Sequence, residues 1–235
     1  MNITRDTEFE TYLIDWIKNR ESKEREGTHQ SDLLFCLNES AMRRLKPTEP
    51  STADLLRWGR GYATQRWLTG SLEDEPEIEI DGIKVTPDAL YQDAPWELKD
   101  TSQSSTKPIE DNVYWIRQCM NQAYVLGKTE ARLSRLEEMG NWKWVYRPKN
   151  PEKIAALVAE FGENWDEHPT LSAWHMTFTQ DELNRHWAWM RSRKEEFERV
   201  LSTGVLMPKP HALASGTEWK CKWCKYTEEC DRGYV

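Results

Sequence analysis

Along residues 5–20 the apolar side chains Phe9, Tyr12, Leu13, Trp16 and Ile17 recur at i, i+3, i+4, i+7 and i+8, one stripe of an amphipathic helix. The polar stretch from Lys18 to Gln30 is expected to be a helix end and loop. Ser31-Asp32 then reads as the N-cap of a second helix containing Leu33, Leu34 and Cys36. Residues 47–52 (PTEPST) form a linker, and a third helix is expected over 53–68, with Leu55, Leu56, Trp58, Ala63, Trp67 and Leu68.

The period then falls to two. EIEI (77–80) and IKVT (83–86) alternate apolar and polar residues around Asp81-Gly82, a dipeptide that accepts the positive φ angles of a tight hairpin. A third strand is expected at Trp96–Lys99. A helix over 109–126 follows, carrying Ile109, Val113, Ile116 and Met120. Strands are expected at 130–136 and 142–147, with Gly140-Asn141 between them, and helices near 151–161 and 180–202. Pro208 and Pro210 break the chain before a short tail rich in Cys, Trp and Lys. This order predicts an α/β or α+β fold with a small mixed sheet flanked by helices, in one domain over 1–235.

Composition adds limits. The 235 residues are 38% apolar and 31% charged, as in a globular protein rather than a disordered one. There is no apolar run long enough for a membrane span, and MNITRDTEFE has no signal-peptide pattern, so a cytoplasmic location is expected. There the five cysteines are expected as thiols or metal ligands, not disulfides. A net charge of −8 argues against a protein that coats DNA nonspecifically, but leaves room for a local basic groove. Arg43, Arg44, Lys46, Arg57, Arg60 and Arg66 fall against only Glu49 and Asp54 in 40–70, which reads either as such a groove or as a solvated helix face. Most of the thirteen tryptophans are expected in the core, and a few as stacking surfaces for bases.

Two groups of residues carry chemistry. In VTPDALYQDAPWELKD, Asp88 follows the second hairpin strand, while Glu97 and Lys99 are two apart on the third and so share a face. Neighbouring strands lie about 4.8 Å apart, which brings Asp88 within reach of Glu97. Two such carboxylates tolerate each other around a divalent cation, and hard oxygen ligands suit Mg²⁺ or Mn²⁺. A Glu-x-Lys pair on a strand is also common as a plain solvated face. The second group is Cys221, Cys224 and Cys230, spaced C-x₂-C-x₅-C, a strong metal-site signal that needs a fourth ligand. Cys36 or Cys119 can supply it, and Cys119, in mid-helix, reads better as a small buried apolar residue. Spacing alone fits a Cys₄ zinc as well as an iron–sulfur cluster.

These motifs resemble the PD-(D/E)xK nucleases of the RecB-like kind. The resemblance implies a restriction-endonuclease-like mixed sheet, with metal at Asp88 and Glu97 and with Lys99 assisting a metal-activated water. Family members carry G-x-x-x-H on the preceding helix. Here the run is Gly61-Tyr62-Ala63-Thr64-Gln65, so Gln65 stands where the histidine is expected, a weaker metal ligand. The family's Q-x-x-x-Y motif is matched at Gln118, but Gln122 holds the tyrosine position and Tyr124 comes two residues later. Gln118 and Tyr124 carry over as residues that position the DNA strand. One cysteine upstream and three near the C terminus resemble the iron–sulfur members, including the CRISPR-associated Cas-4 family. In those, a 4Fe–4S cluster on the counterparts of Cys36, Cys221, Cys224 and Cys230 staples the N-terminal helical part (1–70) to the tail (205–235). Trp219, Trp223 and Tyr226 are then expected to shield it. The implied activity is a Mg²⁺- or Mn²⁺-dependent exonuclease on single-stranded DNA ends, with protein partners in CRISPR adaptation or recombination. A DNA-binding adaptor that keeps the fold without turnover is the alternative.

Overall fold

The computed structural model describes residues 4–21, 26–70, 77–103, 107–139 and 148–232. The strand expected at 142–147 lies outside them. Helix α1 spans Thr7–Glu21 and packs on α4, Thr52–Thr69. Its predicted apolar stripe is not buried: Phe9, Tyr12, Leu13 and Trp16 remain 42–60% exposed. Between them come β1 (Thr28–His29), α2 (Gln30–Leu34) and α3 (Leu37–Leu45). The cap expected at Ser31-Asp32 shifts by two residues. His29 is the N-cap, and Asp32 accepts its backbone N–H at 3.0 Å. Cys36 lies between the two short helices as the N-cap of α3. Ser51 and Asp54 form a reciprocal capping box that starts α4, and Gly70 ends it at φ +68°.

Strands β2 (Ile78–Ile80) and β3 (Ile83–Val85) form the expected hairpin, with Asp81 and Gly82 at φ +52° and +70°. With β1 they make a three-stranded sheet ordered β1-β3-β2. A second hairpin, β4 (Ala89–Tyr91) and β5 (Ala94–Thr101), turns at Gln92-Asp93, also at positive φ, and only its second strand is legible in the sequence. Strand β6 (Glu130–Glu137) runs parallel to β5, and β7 (Thr170–Thr177) antiparallel to β6, giving a mixed sheet β4-β5-β6-β7. The parallel pair requires a crossover, and α5 (Val113–Val125) supplies it. Helix α6 (Pro151–Phe161) precedes β7. Helix α7 (Gln180–Thr203) opens with a Thr179–Glu182 capping box. Two short helices, α8 (Lys209–Ala212) and α9 (Thr227–Arg232), belong to the tail.

One core joins α2, α3, β3 and α7 through Leu33, Leu37, Met42, Ile83, Val85, Trp187, Met190 and Phe197. A smaller one fills the space between α5 and the four-stranded sheet, with Ile109, Trp115, Cys119, Ala131 and Leu133. Tryptophans divide more evenly than expected. Trp115, Trp165 and Trp187 are buried, whereas Trp16, Trp58, Trp67, Trp219 and Trp223 are 48–80% exposed. No helix among the described residues is long and apolar enough to cross a membrane.

Candidate functional site

Strand β5 carries the first group. Glu97 and Lys99 project from one face, beside Leu133 and Arg135 of β6, and α5 lies over them. Glu97 is 2% exposed. One carboxylate oxygen accepts from the Lys99 ammonium and the other from the side-chain amide of Gln122. Lys99 also donates to Gln118 Oε1 at 2.8 Å. Gln118 and Gln122 are one turn apart on α5, so both face the strand.

Asp88 sits between β3 and β4, and its Oδ2 accepts the Leu98 N–H at 2.7 Å. That bond fixes the carboxylate against β5 next to Glu97. The Gln65 amide reaches from α4 to the Asp88 carbonyl at 3.2 Å, so Gln65 touches this loop through its main chain. Burial opposes the Lys99 charge, yet Glu97 and then Asp88 outweigh it and hold the lysine pKa above its ordinary value. Cys119 lies at the base of this cluster, its thiol pushed up by burial and by Glu97. The structure thus brings together Asp88, Glu97, Lys99, Gln118 and Gln65, and adds Gln122.

Tyr124 does not join them. It stacks on Trp187 at 4.6 Å between ring centroids, within the larger core. The reason is angular. Six residues beyond Gln118 is roughly 240° around a helix, whereas four residues beyond is roughly 40°. Gln122 therefore takes the place expected of Tyr124, and the i+4 spacing was the signal that pointed to it.

The cluster fits a hard divalent cation. Two carboxylates against one ammonium leave one net negative charge. Gln122 Oε1 is buried without a hydrogen-bond partner among the described residues, a spare oxygen donor beside Glu97. Among those residues, however, no three His, Cys, Asp or Glu side chains are gathered at metal-holding distance. The acid pair would therefore need amide oxygens and water to complete a shell, which Mg²⁺ accepts readily.

The other face of β5 is different in kind. Asp100 is held there by Thr64 at 2.9 Å and Arg60 at 3.2 Å, and Arg60 also pairs with Glu138. Arg43, Arg44 and Arg57 are likewise paired, with Glu39, Asp32 and Asp54. Four of the six basic residues of 40–70, Arg43, Arg44, Arg57 and Arg60, thus pair with nearby acids.

Cys36, Cys221, Cys224 and Cys230 line one cavity, walled by Met42, Leu206, Leu213 and Tyr226. Cys119 is absent from it. The sulfurs share this space without being drawn in to ligand distance. Burial raises the Cys36 and Cys224 thiols, and the neighbouring Glu39 and Cys230 add to the rise. Asn38 clamps the Met207 backbone at 2.7 and 2.9 Å and donates to Cys230 Sγ at 3.5 Å. Thr227 ties the carbonyls of Cys221 and Cys224 at 3.3 and 2.9 Å. Of the three aromatics expected to shield the thiols, only Tyr226 does so, its hydroxyl bonded to the Lys46 carbonyl at 3.1 Å. Trp219 and Trp223, on the 3₁₀ turn Glu218–Trp223, are instead 50% and 80% exposed.

No protein-family model and no curated protein matches the chain. Among solved structures, a phage-related exonuclease from Haemophilus somnus overlaps 71% of this chain and 81% of its own, at a TM-score of 0.42 and 11% identity. The alkaline exonuclease LHK-Exo from Laribacter hongkongensis overlaps 80% and 94%, at 0.41 and 14%. Both overlaps are too loose to assign a role. The crystal structure of SSO0001 is similar over 97% of this chain and 96% of that one, at a TM-score of 0.54 and 14% identity, so this chain shares its fold along nearly the whole length.

Proposed function

We propose that this chain is a metal-dependent deoxyribonuclease of the RecB-like, PD-(D/E)xK kind, acting on single-stranded DNA ends. The observation that carries the reading is the position of Lys99, bonded to Glu97 and Gln118 on the face where Asp88 also stabilises its charge. A Mg²⁺ or Mn²⁺ ion held by Asp88 and Glu97 would supply Lewis-acid polarisation of a phosphoryl oxygen and activation of water. The chain's own residues do the rest. Lys99 stays protonated at neutral pH and offers its ammonium to the developing negative charge on the phosphate. Gln122 fixes the orientation of Glu97, and Gln118 that of Lys99, so the charged groups need little rearrangement when DNA binds.

The four cysteines, on this reading, hold a 4Fe–4S cluster of the type found in the CRISPR-associated Cas-4 family that the motifs resemble. Their common cavity supports a metal–thiolate centre, with zinc as the competing occupant. Partners in CRISPR adaptation or recombination follow from the same resemblance.

The test uses end-labelled oligonucleotides with Mn²⁺ or Mg²⁺. Stepwise shortening of single strands, slower on blunt duplex and abolished by Asp88→Asn or chelation, is expected. Products that form equally well in excess chelator would overturn the assignment. A second reading, a DNA-binding adaptor with little turnover, draws on Gln65: its amide is engaged by the Asp88 carbonyl and it brings no titratable nitrogen to the metal. Tight binding of single strands without cleavage would favour it.

A further inference from the structure

Charges on the wall of the cysteine cavity are paired. Glu39 is held by Arg43 and, at 3.0 Å, by Lys220. Lys209 pairs with Asp231. Arg193, just behind the wall on α7, has no such partner among the described residues. It is 6% exposed, and its guanidinium donates to three carbonyls: Leu33 and Phe35, each at 2.5 Å, and Ala212 at 3.2 Å. It also lies 4.9 Å from the Trp189 ring centre, a ring that Arg117 approaches to 4.5 Å. Arg117 in turn donates to the Ser215 carbonyl at 3.5 Å, so the described hydrogen bonds of both guanidiniums go to carbonyls.

A buried cation without an anion is unfavourable, because carbonyl dipoles and an aromatic face replace only part of the lost hydration. Two guanidiniums against one ring make the imbalance worse. Burial pulls the Arg193 pKa down to about 10 while Cys36 acts against the fall, so the group remains charged at neutral pH. The bonded carbonyls are informative as well. Phe35 immediately precedes Cys36, and Ala212 belongs to the tail that carries the other three cysteines. One side chain therefore ties both ends of the cysteine set together.

We propose that Arg193 is the built-in counter-charge and brace of an anionic metal–thiolate centre formed by Cys36, Cys221, Cys224 and Cys230. This rests on the reading that these cysteines hold a metal, but not on which one. Four thiolates around a zinc ion, or around an oxidised 4Fe–4S core, leave the same excess of two negative charges. Arg193 is a positioning residue. It touches no substrate, and it acts by setting the charge and spacing of the ligands.

The experiment is a thermodynamic cycle on the full chain. Wild type, Arg193→Gln and Arg193→Lys are each unfolded in urea under anaerobic conditions, metal-free and after reconstitution with ferrous iron and sulfide or with Zn²⁺. Removing the charge should cost stability mainly in the loaded form. It should also speed metal release to a chelator by at least tenfold and, with iron–sulfur, move the midpoint potential to more negative values. Arg193→Lys should stay near wild type in potential. Equal losses in loaded and metal-free chains, with unchanged release and potential, would overturn the proposal and leave a plain structural arginine. If Arg193→Gln does not fold, the lysine variant decides: retention of metal supports the charge role, and a folded lysine variant that cannot hold metal defeats it. A wild-type chain that binds neither metal would instead refute the thiolate-centre reading on which the proposal stands.

Discussion

Gln122 donates its side-chain amide to the buried carboxylate of Glu97, on the oxygen opposite the one that receives Lys99. This pairing makes a strand carboxylate and a helix amide one unit. Replacing Gln122 with Leu keeps the volume and removes the donor. It should cost about 1–3 kcal/mol of stability, because a desolvated carboxylate oxygen is left without a partner. Urea midpoints of the two chains measure this. Gln122→Glu should be worse, placing two acids together in the absence of metal, and added Mn²⁺ should recover part of its loss. A Gln122→Leu chain as stable as wild type would remove Gln122 from the site.

Arg135 and Glu137, 2% and 0% exposed, form an ion pair at 2.5 Å on β6, with Thr170 donating to Glu137 at 2.9 Å. Glu137→Ala should destabilise by roughly 3–5 kcal/mol, since removing one partner strands a buried charge. Thermal unfolding checks it. A loss below about 1 kcal/mol, the scale of a surface pair, would mean the pair is solvated.

This pair also explains which parts of the fold were legible. The hairpin at Asp81-Gly82, α7 and the crossover helix follow from period and turn chemistry. Strand β7 does not, because its inward residues Thr170 and Ser172 are polar to match Glu137, and the alternation that betrays a strand is lost. Asp88, Glu97 and Lys99 were legible because strand spacing fixes their face. Gln122 was not, because it stands in the resembled motif as a mismatch of residue type, although its helical angle was right. Tyr124 matched the type and missed the angle. The α1 stripe was read from a pattern that cannot say whether a partner covers it.

His186 is buried against Trp189, and its pKa is drawn down to about 4, by burial first and by Arg117 second. In the unfolded chain it titrates near 6.5, within the usual range of about 6–7. As pH falls below that value the unfolded state takes a proton that the folded state refuses until about 4, so stability is lost across this window. The full contribution is about 3 kcal/mol. Urea titrations should show the stability of wild type falling relative to His186→Gln by up to about 3 kcal/mol between neutral pH and pH 4. Parallel curves would show that this histidine is not the cause.

Metal content separates the cysteines. Cys221→Ser should lose most bound iron or zinc, while Cys119→Ser, which alters a thiol at the carboxylate cluster and not in the cavity, should keep it. Elemental analysis of anaerobically purified chains gives the answer, and equal retention in both would exclude the cavity as the metal site.

The central claim is that Asp88, Glu97 and Lys99 act on one phosphodiester. Its most direct test is the initial rate of cleavage of an end-labelled single-stranded oligonucleotide in saturating Mn²⁺ by wild type, Glu97→Ala and Lys99→Ala. Each variant is expected to lose activity by about 10²-fold or more, the scale for removing a group that stabilises transition-state charge. Both variants should remain folded. Wild-type rates in folded Glu97→Ala and Lys99→Ala would contradict the account.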